Sequence, residues 1–109
     1  MQEQSDAQLL RDYAGHGSES AFREIVTRYT DLVYSAALRQ VNSSALAGDL
    51  AQAVFTDLAR KARPLAGKIA ADSSLAGWLH RSTRYAALNL MRDTRRRLTN
   101  ERQAMEQLL

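Results

Sequence analysis

A chain of 109 residues is one domain long, and it can bury roughly 60–70% of the surface its unfolded form exposes, enough for a core without covalent staples. The absence of cysteine excludes a disulfide frame and a thiolate metal site; no apolar run nears the ~20 residues of a membrane span, and the polar start "MQEQSD" is unlike a signal peptide, so a soluble cytoplasmic protein is expected. The net charge of +3 is unevenly spread: residues 1–59 carry four basic and eight acidic side chains, residues 60–109 eleven basic and four acidic, so two surfaces with different partners are expected, the basic one facing a polyanion.

In chain order, a short first helix is predicted after Ser5, with Gln8 as its capping-box partner and a stop at Gly15-His16-Gly17. A second starts after Ser18. Its apolar positions Phe22, Ile25, Val26, Tyr29, Leu32, Val33, Ala36, Ala37 and Val41 keep the three-and-four spacing of one buried face, and it ends near Asn42-Ser43-Ser44. The third repeats that pattern with Leu46, Leu50, Val54, Phe55, Leu58 and Ala62. Pro64 disfavours helix at Arg63 and predicts a stop there. A loop, "RPLAGKIAADSS", is then expected from Arg63 to Ser74, before a last helix opening at Ser73 or Ser74. No stretch competes for strand. The class is therefore all-α: a compact bundle of three to four helices with a long loop before a basic last helix. Phe22, Ile25, Val33, Phe55 and Leu79 are expected in its core. The tail "TNERQAMEQLL" has too few apolar positions to pack tightly and reads as the start of a linker.

The last helix holds the chemistry. "LAGWLHRSTRYAALNLMRDTRRR" contains six arginines and one acidic residue. At about 100° per residue, Leu79, Thr83, Ala86, Ala87 and Leu90 gather on one face, the core face. Arg81, Arg84, Leu88, Arg92, Arg95 and Arg96 gather on the other, bordered by Trp78, Tyr85 and Asn89. Guanidinium is a planar fork suited to phosphate. Aromatic rings stack on bases only where those bases are unpaired. The stripe therefore suits a single strand, whereas a major-groove reader has no need of rings. Trp78 is also placed to pack partly into the core, and the run Arg95-Arg96-Arg97 to complement the dipole of a helix end.

Catalysis finds little support. His16 and His80 are the only histidines and stand far apart, so no metal site is expected, and no cofactor. Gly67-Lys68 is not a phosphate-binding P-loop, because the glycine required five residues before Gly67 is Ala62. A helix-turn-helix regulator of duplex DNA needs a turn of about three or four residues, far shorter than the expected loop. A helical protein-interaction module would explain the acidic half and leave the arginine stripe without a purpose.

Three segments carry a family resemblance. "AGDLAQAVFTDLARKA" resembles the polymerase-binding helix of bacterial sigma factors, whose usual form is D-L-x-Q-E-V-F, and the basic helix resembles the W-L-x-R-x-x-R segment that follows it. The earlier "LLRDYAGHGSESAFREIVTRYTDLVYSAALR" is similar to the start of the same domain. The order is kept over nearly the whole chain and points to the promoter-melting domain, region 2, of the extracytoplasmic-function group.

That resemblance implies a division of labour. The acidic-half helix would dock on the β′ coiled coil of core RNA polymerase through Asp49, Leu50, Gln52, Ala53 and Thr56, with Ala53 standing where the family has glutamate. The loop and last helix would hold the non-template single strand of the promoter −10 element through Lys68, Ser73, Ser74, Trp78, Arg81, Arg84, Tyr85, Asn89, Arg92, Arg95 and Arg96. Tyr85 stands where many relatives carry asparagine; the asparagine one turn on is Asn89. Residues 1–94 would form the domain and residues 95–109 the basic helix end and start of an interdomain linker. The upstream-element-binding domain of complete members is not in the sequence, so an isolated or truncated domain is expected. Many members are held by an anti-sigma protein, but no residue here identifies one.

Overall fold

Local caps set the first boundaries. The computed structural model describes residues 3–109, and the described chain forms four helices, α1 (Asp6–His16), α2 (Glu19–Val41), α3 (Ser44–Lys68) and α4 (Ala76–Leu108). Ser5 caps α1 by accepting the Gln8 N–H at 3.1 Å. The reciprocal half of the expected capping box is missing: the Gln8 amide turns forward and donates to Asp12 Oδ1 at 2.8 Å. Helix α1 runs one residue past Gly15, to His16. Gly17 then adopts the left-handed conformation (φ +65°), and the Gly17 and Ser18 N–H groups return to the Tyr13 and Asp12 carbonyls. Ser18 and Ser43 cap α2 and α3 in the same way as Ser5, and Asn42 (φ +55°) ends α2 in the left-handed region that asparagine tolerates.

The core lies where all four helices meet. Leu9 and Leu10 of α1, Ile25 and Val33 of α2, Val54, Phe55 and Leu58 of α3, and Leu79 of α4 are buried together, with Leu75 just before α4. Phe22, expected in this core, is half-buried at its edge, its ring 4.7 Å from that of Tyr13. A second cluster toward the far end is built on small residues, Ala37, Ala47 and Ala87, which let α2, α3 and α4 approach closely around Leu50.

Two expectations at the end of α3 are corrected. The helix does not stop at Arg63; it continues through Pro64 to Lys68, so the connection to α4 covers only residues 69–75. Pro64 faces solvent, where water can satisfy the Arg60 carbonyl that loses its helical donor. Ala62, Leu65 and Ala66 meanwhile pack on the core from the same turns. Burial of that face outweighs the local penalty. At the other side of the connection, α4 opens at Ala76 instead of Ser73 or Ser74, because buried Leu75 anchors the chain at the N-cap position.

Helix α4 continues through the segment read as a linker. Residues 95–109 are all exposed, so this stretch projects from the bundle and gives the molecule its 68 × 24 × 21 Å shape.

Candidate nucleic-acid interface

The faces of α4 divide as its sequence implies. Leu79, Thr83 and Ala87 are buried, Ala86 and Leu90 half-buried, and Thr83 satisfies its hydroxyl within the helix by donating to the Leu79 carbonyl at 2.7 Å. Arg81, Arg84, Leu88, Arg92, Arg95 and Arg96 are exposed on the opposite side. Among the described residues every ion pair uses Arg28 or Lys61, so none of the α4 arginines is held by a carboxylate. Their charge is available to an outside anion. Arg81 folds back along its own helix: a Cβ placed on Gly77 would lie 3.2 Å from Arg81 Nη1. A side chain at position 77 would push that guanidinium aside.

The bordering residues differ in depth. Trp78 is half-buried and packs against the core, as its position beside Leu79 implies. Tyr85 is 69% exposed and offers a ring face to solvent, and Asn89 is half-buried next to it. These three line one wall of a cleft of about 460 Å³ between α3 and α4, together with Arg81, Ser82 and Ala86. The facing wall is Ala53, Val54, Asp57, Arg60 and Lys61 of α3. The cleft is half apolar, bordered by rings, and set with cations on both sides. Flat, weakly polar groups attached to an anionic chain fit such a lining.

Three α3 residues of this cleft escape the sequence reading: Asp57, Arg60 and Lys61. Lys61 Nζ and Asp57 Oδ2 pair at 3.0 Å along α3, an exposed i,i+4 bridge of small energetic weight, whereas Arg60 is free of any ion pair among the described residues. The signal was present in the spacing. Positions 53, 57, 60 and 61 continue one helical face, so extending the α3 stripe by two turns past Thr56 finds them.

The connection places its polar residues unequally. Lys68 is exposed at the last turn of α3, and Ser73 is exposed at the end of a turn in which its N–H reaches the Ala70 carbonyl at 3.0 Å. Ser74, also exposed, is engaged inside the protein. Its Oγ accepts the Ala76 N–H at 3.0 Å and lies 3.0 Å from the Tyr29 hydroxyl. Tyr29 donates in turn to Asp6 Oδ2, and burial together with that hydrogen bond raises its phenol pKa above the ordinary value. Beside it, Arg28 Nη1 meets Asp6 Oδ1 at 3.1 Å; burial acts to lower the guanidinium pKa, but hydrogen bonds to Asp6 and Glu24 prevail and raise it.

On α3, Asp49, Gln52, Ala53 and Thr56 form an exposed stripe. The Thr56 hydroxyl donates to the Gln52 carbonyl at 2.8 Å. Leu50 points the other way and is only 6% exposed, so it supports the stripe from beneath and offers almost no surface to a partner. Ala53 belongs to both the stripe and the cleft wall. The two surfaces that the charge split separates therefore meet along one helix.

No group of three or more His, Asp or Glu residues able to hold a metal ion occurs among the described residues, and no described helix is long and apolar enough to cross a membrane. Comparison with curated proteins and with solved structures finds no match. The family model described as "Sigma-70 region 2" matches residues 25–97, from the second turn of α2 to the basic stretch of α4, about two-thirds of the chain. The chain thus belongs to the sigma-70 family, the non-enzymatic factors that bind RNA polymerase and recognise promoters, and carries that family's region 2.

Proposed function

We propose that this domain is a promoter-melting module of the extracytoplasmic-function group, working in the cytoplasm with core RNA polymerase. In this reading the α3 stripe of Asp49, Gln52, Ala53 and Thr56 docks on the β′ coiled coil. Leu50 keeps that stripe in place. The arginine face of α4 and the 69–75 connection receive the non-template single strand of the −10 element.

The observation that carries the reading is the cleft between α3 and α4. Tyr85, Trp78 and Asn89 stand in it next to arginines that have no carboxylate partner. Duplex DNA hides its base faces and would leave the rings idle; an opened strand offers faces to Tyr85 and phosphates to Arg81 and Arg84. Holding a base outside the stack lowers the cost of opening the duplex, so binding and melting become one step. Arg60 of α3 adds a cation on the facing wall.

A fluorescent base in the −10 element, read in the complex with core polymerase, tests the proposal. Wild type should open the promoter. The double variant Tyr85→Ala, Asn89→Ala should open it poorly and lose discrimination among bases, since stacking is worth about 1–3 kcal/mol per base. Normal opening by that variant on every promoter sequence would remove the cleft from the recognition surface.

A further inference from the structure

Helix α4 begins without a side-chain cap from its N-cap residue, Leu75; its local acceptor is Ser74 Oγ, which takes the Ala76 N–H. Its first turn contains no acidic residue. The free N–H groups of a first turn carry partial positive charge and call for an acceptor. A second acceptor comes from 69 residues away: the Leu75 N–H donates to Asp6 Oδ2 at 2.8 Å.

Asp6 is the first residue of α1 and is only 7% exposed. Both of its carboxylate oxygens are occupied. Oδ1 receives Arg28 of α2, and Oδ2 receives Leu75 and the Tyr29 hydroxyl. Tyr29 reaches Ser74, and Ser74 accepts the Ala76 N–H, so the second orphan donor of α4 joins the same network. No buried side-chain polar atom among the described residues lacks a partner. The network thus has one carboxylate at its centre and spans α1, α2 and the start of α4. Trp78 lies in this first turn of α4 and Arg81 in the next. Asp6 itself lies outside the span matched by the family model, which begins at residue 25.

We infer that Asp6 is a positioning residue for strand opening: from α1 it fixes the 69–75 connection and the first turn of α4, and so sets where Trp78, Arg81 and the cleft stand relative to the bound strand. The inference rests on the proposed melting function. It assigns Asp6 no contact with DNA or polymerase. The docking stripe on α3 shares no hydrogen bond with the network, so docking should not depend on Asp6. Arg28 holds the other oxygen and also pairs with Glu24 and Glu3, so it serves the buried charge more than the α4 start.

The test uses the full chain bound to core polymerase, with promoter opening followed by a fluorescent base, polymerase affinity measured in parallel, and amide exchange recorded on the free chain. Asp6→Ala should slow opening by about ten-fold or more, the scale set by losing a charge-assisted hydrogen bond, with polymerase affinity unchanged. The Leu75 and Ala76 amides should lose protection while those in the middle of α3 keep theirs. Asp6→Asn, whose carbonyl can still accept the Leu75 N–H, should recover most of the rate and the protection. Arg28→Gln should lower the melting temperature and leave opening as it was. Were Asp6→Ala to fail to fold, Tyr29→Phe decides, because it removes one hydroxyl from the network and should slow opening in the same direction. Wild-type opening by Asp6→Ala or by Tyr29→Phe, or loss of opening and docking in equal proportion, would overturn the inference. A wild-type chain that neither binds polymerase nor opens the promoter would instead refute the melting function on which it rests.

Discussion

Two side chains on opposite faces of one helix make the residue scale testable. Leu79 is fully buried among all four helices, and Arg92 is exposed on the opposite side of α4. Leu79→Ala should lose about 2–5 kcal/mol and lower the melting temperature clearly. Arg92→Ala should change stability by less than about 0.5 kcal/mol. Equal melting of the two would mean that the helix is turned the wrong way. Tyr29 makes a prediction against pH. Its pKa is raised in the folded state by burial and by the bond to Asp6, so folding favours the protonated phenol. That contribution is fully present below the unfolded value of about 10 and is lost as pH rises through the higher folded value. Denaturant melts above about pH 10 should therefore show wild type losing more stability than Tyr29→Phe. The residue scale is also where sequence reading was least complete. Ser5 and Ser18 declare themselves as caps because their partners are three residues away. Asp6 carries no such local signal, since its partners Tyr29 and Leu75 are distant in the chain and adjacent only after folding.

At the scale of the element, α3 carries the most informative disagreement. The rule that proline ends a helix is local, and here it is opposed by the buried face formed by Ala62, Leu65 and Ala66. Position 64 faces solvent, so the penalty is one helical hydrogen bond and a steric strain that the turn absorbs. Replacing Pro64 with alanine should restore that bond and stabilise the domain by about 2 kcal/mol, read as a higher melting temperature. A lower one would show that the proline's rigidity matters more than the bond it removes. The connection keeps seven residues (69–75), still longer than a helix-turn-helix turn. The other face of α3 is the docking stripe. Asp49→Arg should sharply reduce binding to core polymerase with the helical circular dichroism unchanged, and equal binding would sink the docking assignment. Helix α4 was legible almost throughout, because its apolar and basic residues keep separate faces over many turns. Its start was not, because Leu75 anchors it from the core and Asp6 supplies an acceptor from α1.

For the whole molecule, the charge split read from the sequence becomes a geometry. The polar stripe of α3 and the basic face of α4 are not on opposite sides; they share the cleft where Ala53 faces Trp78 and Tyr85. A factor bound to polymerase through α3 would thereby hold the opened strand beside the docking surface. Four-helix packing, the core and the basic face could be read from periodicity, whereas the cleft could not, since it needs the relative placement of two helices. The central claim is that α4 and the cleft prefer an unpaired strand. The measurement that tests it most directly is the affinity of the polymerase complex for the −10 non-template strand and for duplex of the same sequence, across a salt series. If about four arginines contact phosphate, the logarithm of single-strand affinity should fall with a slope near −3 against log salt, at roughly −0.7 per contact. Arg84→Ala or Arg92→Ala should flatten that slope for all sequences alike. Tight, salt-dependent binding to the single strand with weaker binding to duplex is the predicted result; equal or tighter binding to the duplex would contradict it.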